Sequence, residues 1–378
     1  MKTNTVSSEK VNIITIHFGT NHGSVLQAYA LSSYLNSIGC DAKIIDYVPD
    51  RYKIWNSLVA RKGAQYPLPV IAAYYPVALL KNFRVRKIFE NFLNSNLNLT
   101  ERFSDKEELK KNPPQAEVFI SGSDQVWNND YNGNNDYSYF LDFVPENAKR
   151  IAYAASFGKE NVDEQDYIDR IKPLLQSFDK ISVRETDAQN ILNGLNIPST
   201  HVTDPVFLLT KEQWGKFGKS VKTDKPYTLV YVMDGIYEEL LDYAQKIKEK
   251  TGNAIYVVSF KKLKDERVDK CFYLANPKDF IGLMESADTV VTNSFHGTAF
   301  SVLFQKKFIS IGKEKYNSRM LSLLQKLGLT EHFVPVKSNL PPEKVVKMIQ
   351  RNDTEDVDNR LQEWISLSKE FIRESLDY

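Results

Sequence analysis

Apolar residues along the chain fall into short β-branched runs that alternate with stretches at helical spacing. Residues 11–16 read as a buried strand. A polar turn and a helix over 25–35 follow, with Gly39 placed as its stop and 42–47 as the next strand. Strands are expected again at 116–120, from 150 into the loop ending at Gly158, and from 180 up to Arg184, with a helix over about 163–176. Residues 201–207 close this half, and the charged stretch 211–225 reads as a linker. A second set then repeats the alternation. It has strands at 227–233, 254–259, 289–292 and 308–311, and helices at 238–248, 279–287, from about 295, and at 320–327. Two further helical stretches end the chain, the last rich in Leu361, Trp364, Ile365, Leu367, Phe371 and Ile372. The pattern predicts an α/β protein with two Rossmann-like domains facing a ligand cleft, over 1–210 and 211–350, and a terminal helical segment, 351–378.

Candidate chemistry gathers where strands end. The run Asn293-Ser294-Phe295-His296-Gly297-Thr298 is a turn between a strand and a helix, the place where a βαβ unit holds ligands. The helix N-terminus there suits an anion, and His296 is placed to move a proton. The alternative for His296 is a loop histidine that caps the helix. Asp124, just past the strand at 116–120, either faces the ligand edge or caps a short helix. Arg184 either clamps a carboxylate or phosphate, or pairs with Glu185 or Asp187. The first loop contains glycine but lacks the three-glycine dinucleotide fingerprint, which argues against NAD. His17 and His22 read as structural turn residues, since no third metal partner lies nearby.

Bulk properties narrow the picture. The 378 residues suffice for two domains with separate cores, and a net charge of +1 gives no reason to expect nucleic acid. Cys40 and Cys271 form no close-spaced set, so no zinc site is expected and a reducing cytoplasm suits the chain. The polar N-terminus does not resemble a signal peptide, and no window reaches the roughly 18 apolar residues of a spanning helix. Between Arg51 and Lys87 there is no acidic residue, and basic residues alternate with aromatic and aliphatic ones. This insertion, about 51–90, either lies on an anionic membrane surface or forms helices with a solvated basic face.

Several stretches, taken in order, resemble the polysaccharide pyruvyl transferase family. They are Asn21-His22-Gly23-Ser24-Val25-Leu26-Gln27, Ser121-Gly122-Ser123-Asp124-Gln125-Val126-Trp127-Asn128, Ser182-Val183-Arg184-Glu185, Asp204-Pro205, Asn293-Ser294-Phe295-His296-Gly297 and Asn317-Ser318-Arg319. The resemblance implies a fold of the glycosyltransferase-B type, with an acceptor-side first domain, a donor-side second domain and a last helix returning to the first. It implies transfer of pyruvate from phosphoenolpyruvate, as co-substrate and with no cofactor or metal, onto a sugar of a surface polysaccharide or its lipid-linked precursor. His296 and Asp124 then fall in catalytic positions, and Arg184, Arg319, Gly297, Thr298, Ser294, Asn293, Asn21 and Gln27 in substrate-binding ones. Members carry an arginine two positions before the histidine, where this chain has Ser294, and Arg319 is the candidate for the missing cation. The expected location is cytoplasmic, either free or peripheral at the inner face of the membrane. Two rival readings stand beside this one: a sugar-nucleotide glycosyltransferase on the same scaffold, and a non-catalytic glycan-binding relative.

Overall fold

The computed structural model describes residues 8–49, 68–132, 136–233, 236–260, 263–350 and 354–377. The first part of the basic-aromatic insertion, residues 51–67 with Arg51, Lys53, Trp55, Arg61, Lys62 and Tyr66, lies outside the described residues.

Two parallel sheets carry the chain. The first contains β1 (Lys10–Ile14), β2 (Asp41–Tyr47), β3 (Leu99–Phe103), β4 (Val118–Ser121), β5 (Lys149–Ala155), β6 (Lys180–Val183) and β7 (Thr200–His201), in the order β3-β2-β1-β4-β5-β6-β7. The second contains β8 (Tyr227–Tyr231), β9 (Ala254–Ser259), β10 (Lys270–Tyr273), β11 (Thr289–Thr292), β12 (Lys307–Ile311) and β13 (Phe333–Val334), in the order β10-β9-β8-β11-β12-β13. Both orders reverse direction once, between β1 and β4 and between β8 and β11. This is the doubly wound arrangement that opens a crevice at the carboxyl ends of the strands. Central strands are buried on both faces and mostly apolar because helices cover them: Val118, Phe119 and Ile120 are all buried.

Local chemistry sets the helix ends. The His22–Ser37 helix starts earlier than its apolar spacing predicts, because Asn21 caps it by accepting the Gly23 N–H at 2.9 Å. Gly39 follows it with φ +104°, a conformation that side chains with a Cβ resist. The sequence reading passes over β3, β7, β10 and β13, all of which join the sheets at their edges or next to them. In β3, Glu101 and Arg102 point to solvent, so the strand lacks an apolar run.

The expected linker is structured. Thr210 and Gln213 form a capping box that opens the Lys211–Phe217 helix. Its Trp214 is wholly buried and donates Nε1–H to the Val206 carbonyl at 2.9 Å. Around it Tyr29, Phe217 and Phe300 pack edge-on or tilted, so one apolar cluster runs unbroken between the two halves.

The Thr354–Ser375 helix returns to the first sheet. Trp364 donates to the His201 carbonyl at 3.0 Å, and Ser368 Oγ accepts the Thr203 N–H at 2.9 Å. Arg360 reaches back to the Leu327 carbonyl of the second half at 3.3 Å. Among the described residues no helix is long and apolar enough to cross a membrane.

Candidate functional site

The two switch points face each other. Asn21 and His22 follow β1, Asp124 follows β4, and the run from Asn293 to His296 follows β11. Gly23 makes this meeting possible. A Cβ at that position would overlap the His296 ring, so only a glycine lets the first helix turn approach the imidazole this closely.

Around that contact the structure brings four of the sequence-predicted residues together. Arg184, at the end of β6, forms ion pairs with Asp204 and, at 3.4 Å, with Asp124 Oδ1. Arg319 reaches the same Asp124 oxygen at 3.4 Å from the first turn of the Ser318–Leu327 helix. Ser24 Oγ donates to Asp124 Oδ2 at 2.8 Å. His296 Nε2 lies 3.6 Å from Asp204 Oδ2. Beneath both guanidinium groups is the Phe295 ring, 4.6 Å from Arg184 Cζ and 5.8 Å from Arg319 Cζ. The cluster is closed to solvent: Arg184 and Asp204 are each 2% exposed and His296 3%.

Asp124 stands in the left-handed region, with φ +79°. Aspartate tolerates this better than most residues, and such positions concentrate at functional sites. Its carboxyl is aimed back at the two arginines as a result. The expected pairing of Arg184 with Glu185 or Asp187 is replaced by Asp204 and Asp124, because Glu185 turns to Ser156 and Asp187 to Ser318.

Charge is tightly balanced here. Burial pushes the Asp204 carboxyl up, but His296 and Arg184 outweigh it and hold the group well below the ordinary carboxylate range. Asp124 is likewise held below its ordinary value against burial, by Arg184, Arg319 and His296. Arg319 moves the other way, lowered by burial and by the nearby Arg184. Two guanidinium groups thus share one enclosure, and Nε of each is buried without an acceptor.

The remaining predicted residues make hydrogen bonds within the fold around the cluster. Gly297 and Thr298 were expected to offer N–H groups to an anion. In the structure Ser294, the helix N-cap, takes both: its Oγ accepts from Gly297 N–H at 3.3 Å and its carbonyl from Thr298 N–H at 3.0 Å. Thr298 Oγ1 is also occupied, by the Ser294 carbonyl and Ser310 Oγ. Asn293 Oδ1 accepts the Met233 N–H at 2.8 Å. Gln27 donates to Thr15 Oγ1 at 2.9 Å, and Thr15 in turn donates to the Ser123 carbonyl at 2.7 Å, so Gln27 braces the loop that carries Asp124.

His17 and His22 are buried structural residues. His17 Nε2 meets Asp46 Oδ1 at 3.0 Å, and His22 stacks between Phe260 and Phe280 while its Nε2 bonds the Ala275 carbonyl. Among the described residues no group of three or more His, Cys, Asp or Glu is arranged for a metal ion. Sequence reasoning did not assign Asp204, Ser24, Phe295 or Glu185 to the site. Asp204 carried a signal, an Asp-Pro pair directly after the first half's last strand.

A pair of opposed Rossmann-like domains with a charged cluster between their switch points defines the glycosyltransferase-B class of fold. Solved structures agree: UDP-N-acetylglucosamine 2-epimerase from Rickettsia bellii aligns with TM-score 0.54 at 14% identity, covering 98% of this chain and 97% of that one. The same enzyme from Methanocaldococcus jannaschii gives 0.51 at 14%, covering 93% and 98%, and LpCGTa in complex with UDP gives 0.52 at 10%, covering 98% and 99%. At such identities the likeness is one of fold. No curated protein matches the sequence. The model of the polysaccharide pyruvyl transferase family matches residues 21–314, and the chain belongs to that family. Arg319 lies just beyond the matched stretch.

Proposed function

We propose that the protein moves the enolpyruvyl group of phosphoenolpyruvate onto a sugar hydroxyl and closes it into a pyruvate ketal. The observation that carries this reading is the pair of guanidinium groups, Arg184 buried and Arg319 partly so, whose enclosed Nε atoms lack acceptors beside His296. Phosphoenolpyruvate brings a carboxylate and a phosphate, and each is a planar or tetrahedral anion suited to a guanidinium fork. Arg319 supplies the cation that Ser294 does not. His296, whose Nε2 has the Asp204 carboxylate 3.6 Å away, handles protons during attack by the sugar. Asp124 keeps both arginines aimed and is available to orient the sugar hydroxyls.

The acceptor in this reading belongs to a surface polysaccharide or its lipid-linked precursor. Leu80 and Phe83 are 62% and 58% exposed, and with Arg84 and Lys87 they share one face of the Leu68–Asn96 helix. That face suits peripheral contact with an anionic bilayer.

Phosphate release from phosphoenolpyruvate, screened across lipid-linked and synthetic galactosides, mannosides and N-acetylhexosamines, tests the reaction. Stabilisation by phosphoenolpyruvate in a thermal melt, with none from nucleotide sugars, is the expected companion result. The reverse pattern would favour a nucleotide-sugar transferase, and sugar binding without phosphate release in any pairing would favour a glycan-binding protein. Sedimentation with vesicles rich in phosphatidylserine, compared between the wild type and a Leu80→Ser/Phe83→Ser variant, tests the membrane face.

A further inference from the structure

One carboxyl at the site has no assigned task. Glu185 occupies the N-cap position of the Thr186–Gly194 helix, yet its side chain makes no capping bond. It turns instead to the end of β5. There Oε1 accepts from Ser156 Oγ at 2.7 Å and from the Gly158 N–H at 3.2 Å. Oε2 is buried and has no hydrogen-bond partner. The side chain is fully enclosed and lies next in sequence to Arg184.

A buried carboxylate oxygen without a donor is costly, whereas a carboxylic acid O–H at the same place is a proton waiting for an acceptor. Burial raises the Glu185 pKa and outweighs the opposing pull of Arg184, Ser156, Arg319 and the Gly158 N–H. Asp124 and Asp204, under the same roof, are held ionised by direct contact with the guanidinium groups. Carboxyls pushed in opposite directions mark a division between an acid and a charge-holding partner.

Resting on the pyruvyl-transfer reading above, we infer that Glu185 is the acid that protonates the methylene carbon of phosphoenolpyruvate, leaving His296 and Asp204 to serve the acceptor hydroxyl. The π pair of the enol takes the proton from Glu185 Oε2, which makes the methyl group and leaves an oxocarbenium centre. The first sugar hydroxyl attacks that carbon and its proton passes to His296. The carbon–oxygen bond to phosphate then breaks with its electron pair, and phosphate leaves with the proton held on His296. The second hydroxyl closes the ketal and returns its proton to Glu185. Both groups end as they began, and the products are the ketal and hydrogen phosphate.

The test is Glu185→Gln, which keeps an Oε1 acceptor for Ser156 and Gly158 and removes the acidic proton. Expected is a fall in kcat of roughly 10²-fold or more with KM for phosphoenolpyruvate within about twofold. The decline of wild-type kcat on the alkaline side, where Glu185 loses its proton, should vanish from the residual activity of the variant. Should the variant keep the wild-type kcat and pH profile, Glu185 is only an anchor for the Ser156–Gly158 loop and the inference is overturned. Should it fail to fold, the wild-type profile decides: an alkaline limb set by a group above the ordinary glutamate range supports the assignment, and a flat profile refutes it. A wild-type enzyme that releases no phosphate with any acceptor removes the function itself, and this role with it.

Discussion

His296 Nε2 and Asp204 Oδ2, 3.6 Å apart, join the carboxyl edge of the second sheet to that of the first. Asp204 is therefore shared between an arginine and an imidazole, and neither half of the fold owns the contact alone. Asp204→Asn should lower kcat by roughly 10²-fold or more, through loss of the charge that steadies a protonated His296. Arg184 would keep Asp124 as its partner, so the variant should remain folded with a reduced melting temperature. Steady-state phosphate release and a thermal melt, run on the same preparation, measure both effects. An unchanged kcat would remove Asp204 from the reaction.

Gly23→Ala isolates the approach of the two halves. Alanine favours the helix by about 1 kcal/mol, but its methyl group would occupy the space of the His296 ring. Either the ring is displaced or the halves stay apart. Activity should fall by roughly 10²-fold, as a misplacement of about 1 Å costs. Small-angle scattering distinguishes the routes, since a larger radius of gyration accompanies separated halves.

The two arginines should respond differently to truncation. Arg184→Ala removes the shortest ion pair of the buried Asp204 and leaves it His296 and the Ser123 hydroxyl, so a loss of about 3 kcal/mol of stability is expected. Arg319 is less enclosed and touches only one oxygen of Asp124, at 3.4 Å. Its alanine variant should melt close to the wild type while losing most of its affinity for phosphoenolpyruvate. Calorimetric titration against both variants, with urea unfolding beside it, is the measurement. Equal loss of stability in the two would contradict this division.

Acid should weaken the structure before carboxylates are protonated in bulk. Burial lowers both His22 and His201 to about 4, from an ordinary value of 6.5. Both are neutral in the folded state and free to charge in the unfolded chain, so the unfolded state binds more protons between those limits. Stability is thus fully present above about pH 6.5 and falls as pH drops toward 4. His22 alone accounts for about 3 kcal/mol over the window. The groups facing it are Tyr231, Phe260, Phe280, Phe89 and, at longer range, Asp279. Chemical denaturation at several pH values should show a slope that shrinks by about one proton in His22→Phe. A slope unchanged by that substitution would place the effect elsewhere.

The alternation of β-branched runs and helical spacing was enough to indicate two doubly wound halves, because central parallel strands must be apolar on both faces. β3 and β10 escaped it for the opposite reason: an edge strand needs only one buried side. Trp214 was hidden by its neighbours Lys211, Glu212 and Lys216, whose charges made a packed helix read as a linker. At the site, sequence pointed to positions after strands, and Asp124, Arg184, His296 and Arg319 do meet there. It did not foresee that Ser294 closes off the N–H groups of Gly297 and Thr298, since capping depends on backbone geometry. Nor did it reveal Asp204 as the partner of His296, because 92 positions separate them along the chain and only the apposition of the halves brings them together.

The final helix acts on the chemistry from behind. Ser368 grips the backbone of Thr203, one residue before the carboxyl that meets His296, while Arg360 holds the Leu327 carbonyl at the far end of the helix that carries Arg319 in its first turn. Any swing of one lobe against the other therefore tugs at a single rod fastened to both. A change on the outer surface of that rod can therefore reach the charged cluster from a distance, without touching it.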